Sequence, residues 1–268
     1  MLTTKALTIN VPKTVEKIEN FIFSEVKKAG LKGAVVTVSG GIDSSVTLAL
    51  AARALGPKNV RAITMPERDI TPEGDITDVM RLTEAYDVTC DTLEITPVMR
   101  VIREVLPLYD PSALVPSGNI KLRLIMMIAY HYANMLNSMV IGSSNKTEWL
   151  TGYFTKYGDG GVDIMPLADL YKCQIRQIAR HLEIPRTIIE KTPSAGFWPG
   201  QTDEREIGAS YDILDLVLYG DERRYSDTEI AERLGTEQSL VRRILNRVEA
   251  NEHKRRPPLI LRLSDATD

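Results

Sequence analysis

The densest chemistry in the chain lies in Val35-Val36-Thr37-Val38-Ser39-Gly40-Gly41-Ile42-Asp43-Ser44-Ser45. An apolar strand there runs into a Ser-Gly-Gly-x-Asp-Ser turn and straight on into the apolar stretch Val46-Thr47-Leu48-Ala49-Leu50. Paired glycines let the backbone come close to a ligand. Amide N–H groups, serine hydroxyls and the positive end of a helix dipole then face one point, which suits a phosphate. The string is not G-x-x-x-x-G-K-[ST], which grips the outer phosphates with its own lysine. An aspartate stands here instead, and a carboxylate beside phosphates is favourable when Mg²⁺ lies between them.

Three more segments crowd reactive side chains. Gly142 to Asp163 mixes glycines with Lys146, Glu148, Lys156, Asp159 and Asp163 and has little apolar periodicity, so it reads as a long functional loop. Lys191 to Glu204 holds two prolines, two glycines and Trp198, and reads as a rigid, partly apolar loop. His253-Lys254-Arg255-Arg256-Pro257-Pro258 is a basic cluster closing a helical tail.

Alternating elements must position these segments. Apolar spacing predicts a helix over 11–29, with Val15, Ile18, Ile22 and Val26 on one face. Strands are predicted over 34–38, 60–65, 88–93 and 139–141, with helices over 43–55, 72–85, 97–106 and 119–137 between them. Repeated βα units imply a doubly wound parallel sheet flanked by helices, an α/β fold whose ligands bind at the carboxyl ends of the strands. The Ser39–Ser45 turn and the Gly142–Asp163 segment would both sit there. Residues 206–250 read as helical throughout, and no linker separates them. The expectation is one domain over 1–268, with 206–268 as a helical extension packed on it.

Composition narrows the setting. The chain has 268 residues, 43% hydrophobic and 26% charged, with a formal net charge of −3, which leaves no global basic field to hold nucleic acid. Cys90 and Cys173 have no paired spacing, against a disulfide or zinc scaffold and in keeping with a reducing cytoplasm. The N-terminus lacks a signal-peptide core, and the run from Leu124 to Leu136 is too short and too polar to span a membrane.

Together the four segments resemble the ammonia-dependent NAD synthetases, a branch of the N-type ATP pyrophosphatases. S-G-G-x-D-S is shared across that superfamily, including GMP synthetase. T-G-Y-F-T-K-Y-G-D-G-G-V-D-I-M-P-L from Thr151, P-x-A-x-x-W-P-G-Q-T-D-E from Pro193, and E-H-K-R at 252–255 are far more specific. The resemblance covers nearly the whole chain and implies an adenine nucleotide alpha hydrolase-like fold. It also implies ATP-dependent amidation of deamido-NAD through an adenylated carboxylate, the last step of NAD synthesis. Matched positions imply that Ser39, Gly40, Gly41, Ile42, Asp43, Ser44, Ser45, Met65, Ser143, Lys172 and Ser194 meet ATP. Asp43 and Glu148 would hold Mg²⁺, and Arg123, Lys156, Asp163, His253 and Lys254 would meet deamido-NAD. Asp43, Lys156 and Lys172 stand nearest the chemistry. Ile125 replaces an arginine usual in the family, a departure within the dinucleotide pocket.

Simpler readings stand beside these: Glu148 as a solvated acid near a helix start, Lys172 as an exposed helix lysine, His253 as a surface histidine, Met65 as core. The resemblance further implies a homodimer and free ammonia as nitrogen donor, since glutamine-using relatives carry a large fused amidase domain. A rival element is the helix–turn–helix spacing at 226–248, with Arg242, Arg243 and Arg247 on its second helix. The negative whole-chain charge argues against a nucleic-acid role for it.

Overall fold

The computed structural model describes residues 2–261, and the four strands form one parallel sheet. They are β1 (Gly33–Thr37), β2 (Val60–Thr64), β3 (Thr89–Thr92) and β4 (Ser138–Ile141), in the order β3-β2-β1-β4. The register pairs Val36 of β1 with Ala62 on one side and Ile141 on the other. The chain thus walks outward from β1 to β3 and returns to β1's opposite edge with β4. That reversal makes the β1–β4 boundary the switch point, where α/β sheets leave a crevice beyond their carboxyl ends.

The helices are α1 (Val11–Lys28), α2 (Ile42–Leu55), α3 (Glu73–Ala85), α4 (Thr96–Val105), α5 (Leu114–Leu136) and α6 (Lys146–Thr151). They continue as α7 (Lys172–His181), α8 (Arg186–Ile189), α9 (Asp203–Ile207), α10 (Tyr211–Glu222), α11 (Asp227–Leu234) and α12 (Gln238–Ala250). Strand residues alternate between two faces, as the pleat dictates. Ala34, Val36 and Val38 join a cluster with α1, α2, α3 and α7, while Val35, Ile63 and Val140 join one with α4 and α5. A third cluster, including Leu214, Val217, Ile230, Val241 and Ile244, holds α10 to α12 together. The side chain of Asn10 caps α1, and Val15, Ile18, Ile22 and Val26 are its buried face.

Three expectations change. Helix α5 starts at Leu114 rather than near Asn119, because Pro116 falls in its first turn, where a missing N–H costs nothing. The 142–163 segment is not all loop: Asn145 and Glu148 form a capping box that starts α6. The 206–250 stretch is broken at 208–210, 223–226 and 235–237, and only a 3₁₀ turn (Glu252–Lys254) follows α12 within the described residues. Residues 262–268 of the expected helical tail lie outside the described part.

Candidate active site

The Ser39–Ser45 turn leaves β1 and enters α2 at the switch point. Gly40 adopts φ +79°, and an added Cβ would lie 2.7 Å from the Asp75 carbonyl oxygen, so a side chain is excluded on both counts. The Ser44 hydroxyl lies 3.2 Å from the Ser39 Oγ and donates to the Gly41 carbonyl at 3.1 Å, while Ser45 Oγ donates to the same carbonyl at 2.8 Å. These bonds fix the turn, and Ser39 itself stays exposed.

Asp43, in the first turn of α2, reaches across to α6 and α7. Its Oδ2 accepts from Lys172 Nζ at 2.5 Å and its Oδ1 from Asn145 Nδ2 at 3.0 Å. Lys172 Nζ also donates to Glu148 Oε1 at 3.3 Å and stands 4.7 Å from the centre of the Tyr211 ring. The Tyr211 hydroxyl lies 3.1 Å from Glu148 Oε1 and 2.9 Å from Asp203 Oδ2. Lys172 is 2% exposed, which excludes the surface-lysine reading. Burial, helped by Asp43 and Asp203, pushes the Glu148 carboxyl up to about 7, with Lys172 opposing. Burial works against the Lys172 ammonium, but Asp43 and Glu148 more than offset it and raise its pKa.

The cluster is held from below by Asp215, which is 0% exposed. Its Oδ1 accepts from Thr147 Oγ1 at 2.5 Å and its Oδ2 from the Cys173 amide at 2.8 Å. One carboxylate thus ties the first turns of α6 and α7, next to Glu148 and Lys172, to α10. A carboxylate at a helix N-terminus is favoured by the unpaired amides and the dipole.

The other predicted residues form a second patch. Arg123, on α5, donates through Nε and Nη2 to the Lys156 carbonyl at 3.3 Å each, and Lys156 Nζ donates to the His253 carbonyl at 2.7 Å. Lys254 Nζ donates to the carbonyls of Gly152 at 2.7 Å and Phe154 at 3.1 Å. Gly152 ends α6 at φ +68°, and a Cβ there would lie 2.2 Å from Asn251, so the two chain segments meet closely. Asp163 sits at the β4 edge, accepting from the Val140 amide at 2.7 Å and the Tyr130 hydroxyl at 3.0 Å. Tyr130 is two turns beyond Arg123 on α5, so both project from the same face. Among the described residues no hydrogen bond between side chains joins this patch to the Asp43 cluster. Helix α6 links them, with Glu148 in its first turn and Gly152 at its end.

Met65 is 7% exposed and packs with Val35, Ile63 and Met99, so its side chain belongs to the core while its backbone lies just beyond β2. Ser143 follows β4, half-buried. Ser194 is exposed and its Oγ accepts from the Gly196 amide at 3.1 Å. Ile125 is partly buried against the α4–α5 cluster. The arginines of the helix–turn–helix segment are engaged within the chain: Arg242 with Asp227, Arg243 with the Gly208 carbonyl, Arg247 with the Thr151 carbonyl. Among the described residues no helix is long and apolar enough to cross a membrane.

Sequence reasoning passed over Asn145, Asp203, Tyr211 and Asp215. Asn145 carried a signal, an N-cap residue three before a glutamate. Asp203 stands inside the Pro193–Glu204 string, of which only Ser194 was given a role. Tyr211 and Asp215 lie on an ordinary amphipathic helix and gave no local sign. The whole arrangement, a glycine turn at a helix N-terminus facing two carboxylates and a buried ammonium, can hold and polarise a polyphosphate.

The comparisons agree with that class of site. The model of the NAD synthase family matches residues 14–258, and the chain belongs to that family. It is 43% identical over 248 residues to the NH(3)-dependent NAD(+) synthetase of Methanococcoides burtonii, covering 92% of this chain and 94% of the relative. Among solved structures, NMN synthetase from Francisella tularensis superposes with a TM-score of 0.84 at 32% identity, covering 95% of this chain and 99% of its own. NH3-dependent NAD synthetase from Campylobacter jejuni gives 0.80 at 31%, covering 95% and 100%.

Proposed function

We propose that the protein amidates deamido-NAD to NAD with ammonia, converting ATP to AMP and pyrophosphate. One observation carries the reading: Asp43, Glu148 and Lys172 meet beside the Ser39–Ser45 turn at the sheet's switch point, in a chain of the NAD synthase family. In the first step an oxygen of the nicotinate carboxylate bonds to the α-phosphorus, the bond to the bridging oxygen breaks, and pyrophosphate leaves with the electron pair. In the second, the ammonia nitrogen bonds to the carboxyl carbon, the carbon–oxygen bond to AMP breaks, and nitrogen gives up a proton.

Both steps need charge neutralised and partners aligned, which positioning and fixed electrostatics supply. The amides of Gly40 and Gly41 and the Ser39, Ser44 and Ser45 hydroxyls hold the departing pyrophosphate. Lys172 donates to phosphate oxygens as charge builds on them. Ser143, Ser194, Ile42 and the Met65 backbone bound the rest of ATP. Lys156 offsets charge beside the reacting carboxylate, Arg123, His253 and Lys254 meet the dinucleotide phosphates, and Asp163 takes a ribose hydroxyl.

Asp43 and Glu148 also fit Mg²⁺, whose part would be to neutralise phosphate oxygens. The donors are hard carboxylates, each 15% exposed and both drawn to a single ammonium, and a buried oxygen of nearby Asp203 has no partner. Among the described residues no cluster of three or more metal-ligating groups assembles, so phosphate and water would complete the shell, as this ion prefers. Tyr211 and Asp215 lie in the C-terminal cluster yet hold α6 and α7, which favours reading 1–268 as one functional unit.

A homodimer in the cytoplasm completes the proposal. Val101, Val105, Leu108, Val115, Met127 and Met135 leave an exposed apolar surface on α4, α5 and their connection, which favours a second copy as cover. Light scattering of the purified protein tests this. The function is tested by substrate-dependent pyrophosphate release. Release with deamido-NAD and Mg²⁺, and none with xanthosine monophosphate or tRNA, is the expected outcome; the reverse pattern overturns it. The superposition on an NMN synthetase favours one second reading, that nicotinate mononucleotide is the acid. A larger kcat/KM for the mononucleotide than for deamido-NAD would put that reading first.

A further inference from the structure

Lys191 stands at the start of the loop that carries Ser194, and nothing in the phosphate chemistry above uses it. Its ammonium has three N–H donors, and all three find acceptors. Nζ donates to the Gly40 carbonyl at 2.9 Å, to Asp75 Oδ1 at 2.7 Å and to Asp78 Oδ2 at 2.7 Å. Asp75 is also the residue whose backbone closes on Gly40. Asp78 accepts in turn from Thr187 Oγ1, in α8, at 3.2 Å. Burial disfavours the charged lysine, but Asp75 and Asp78 more than offset it and raise its pKa. One side chain therefore joins α3, the phosphate turn and the 191–202 segment. The segment has two further anchors: Lys121 Nζ donates to the Gly196 carbonyl at 3.0 Å, and the Asp203 amide donates to the Pro193 carbonyl at 3.1 Å, drawing its two ends together.

We propose that Lys191 is a positioning residue for ATP: it sets the height of Gly40 in the phosphate turn and registers the Ser194 loop on it. The geometry assigns it no contact with the reacting atoms. Removing it frees the Gly40 carbonyl to rotate, which turns the amide of Gly41 away from where phosphate oxygens would be met. It also loosens the loop end nearest Ser194. The dinucleotide patch around Arg123 and Lys254 shares none of these bonds, so the effect is confined to ATP.

This inference rests on the proposed function, and the test separates their failures. Lys191→Met keeps length and removes the charge; Asp78→Asn keeps volume and weakens the same anchor, and serves if the first variant folds poorly. Steady-state kinetics against each substrate are paired with amide hydrogen exchange of the ligand-free protein. Lys191→Met should raise KM for ATP by about tenfold, as expected for losing a charge-assisted anchor, with KM for deamido-NAD within about twofold. Exchange should quicken at residues 39–45 and 191–202 and stay slow in β1. Lys191→Arg should recover most of the ATP effect. Equal changes for both substrates, a rise in exchange spread over the whole sheet, or no change in ATP KM would each overturn the proposal. If the unaltered protein turned over no substrate, the functional reading would fail while the exchange result still decided the role of Lys191.

Discussion

The Asp43 cluster and the Arg123–Lys254 patch are both charged, but they hold their charges in opposite ways. In the first, side chains bond to side chains: Lys172 to Asp43 and Glu148, Asn145 to Asp43, Tyr211 to Glu148 and Asp203. All are buried or nearly so. In the second, cations bond to backbone carbonyls, Arg123 to Lys156, Lys156 to His253, Lys254 to Gly152 and Phe154. A carbonyl orients a cation without neutralising it, so the patch keeps its positive charge for an incoming anion. The buried cluster instead holds its charges in a low-dielectric setting, where fixed groups act strongly on a developing charge. Under the proposed function the first region carries the phosphate chemistry and the second meets the dinucleotide.

Substitutions should divide along that line. The largest effect is expected for Asp43→Ala, which removes an acceptor of Lys172 and a donor to Mg²⁺: pyrophosphate release should fall by about a thousandfold or more, with the circular dichroism unchanged. Near-normal release would move the chemistry away from this cluster. Asp215→Ala leaves the Thr147 hydroxyl and the Cys173 amide buried without partners, at about 2–4 kcal/mol of stability measured by urea unfolding. On the other side, Lys156→Ala should raise KM for deamido-NAD about tenfold or more with a smaller change for ATP. A loss in kcat alone would place Lys156 with the chemical groups.

The way these regions are built also explains what could be read from residues alone. The Ser39–Ser45 turn is contiguous, so its strand, glycines and helix start are legible, and three of the four strands read as apolar runs; β3, Thr89-Cys90-Asp91-Thr92, is polar and shows only between Val88 and Leu93. Lys172 and Glu148 were visible only through resemblance, because nothing local reveals that a lysine in one helix will be buried against carboxylates from two others. Asp215 was invisible for the same reason: its partners, Thr147 and Cys173, are distant in sequence. Helix α6 was missed because it is short and surrounded by glycines, so its capping pair was the sole cue. In the sequence Lys191 reads only as part of a loop, because its acceptors on α3 and in the phosphate turn lie far away along the chain.

The smallest effects concern pH and the surface. The Glu148 carboxyl shifts from 4.5 to about 7 on folding, so between those values the folded chain holds more protons than the unfolded one. Ligand-free stability should therefore fall as pH rises through that window, and Asp159, pushed up to about 6 by burial, adds to the slope. Glu148→Gln should flatten the slope, leaving the part due to Asp159, Asp203 and Asp215, all raised by burial; an unchanged slope would contradict the burial of Glu148. Arg242→Ala, at an exposed pair with Asp227, should change stability by less than about 1 kcal/mol. Filter binding at two salt concentrations should find no steep salt-dependent affinity for DNA in either form.

Transfer of isotope tests the central claim most directly. With ¹⁸O in the nicotinate carboxylate of deamido-NAD, an adenylated carboxylate beside the Ser39–Ser45 turn requires one labelled oxygen to leave in AMP when ammonia forms the amide. Label in AMP, with unlabelled pyrophosphate, is the result predicted by mass spectrometry. Label in inorganic phosphate with ADP as the nucleotide product would contradict the account.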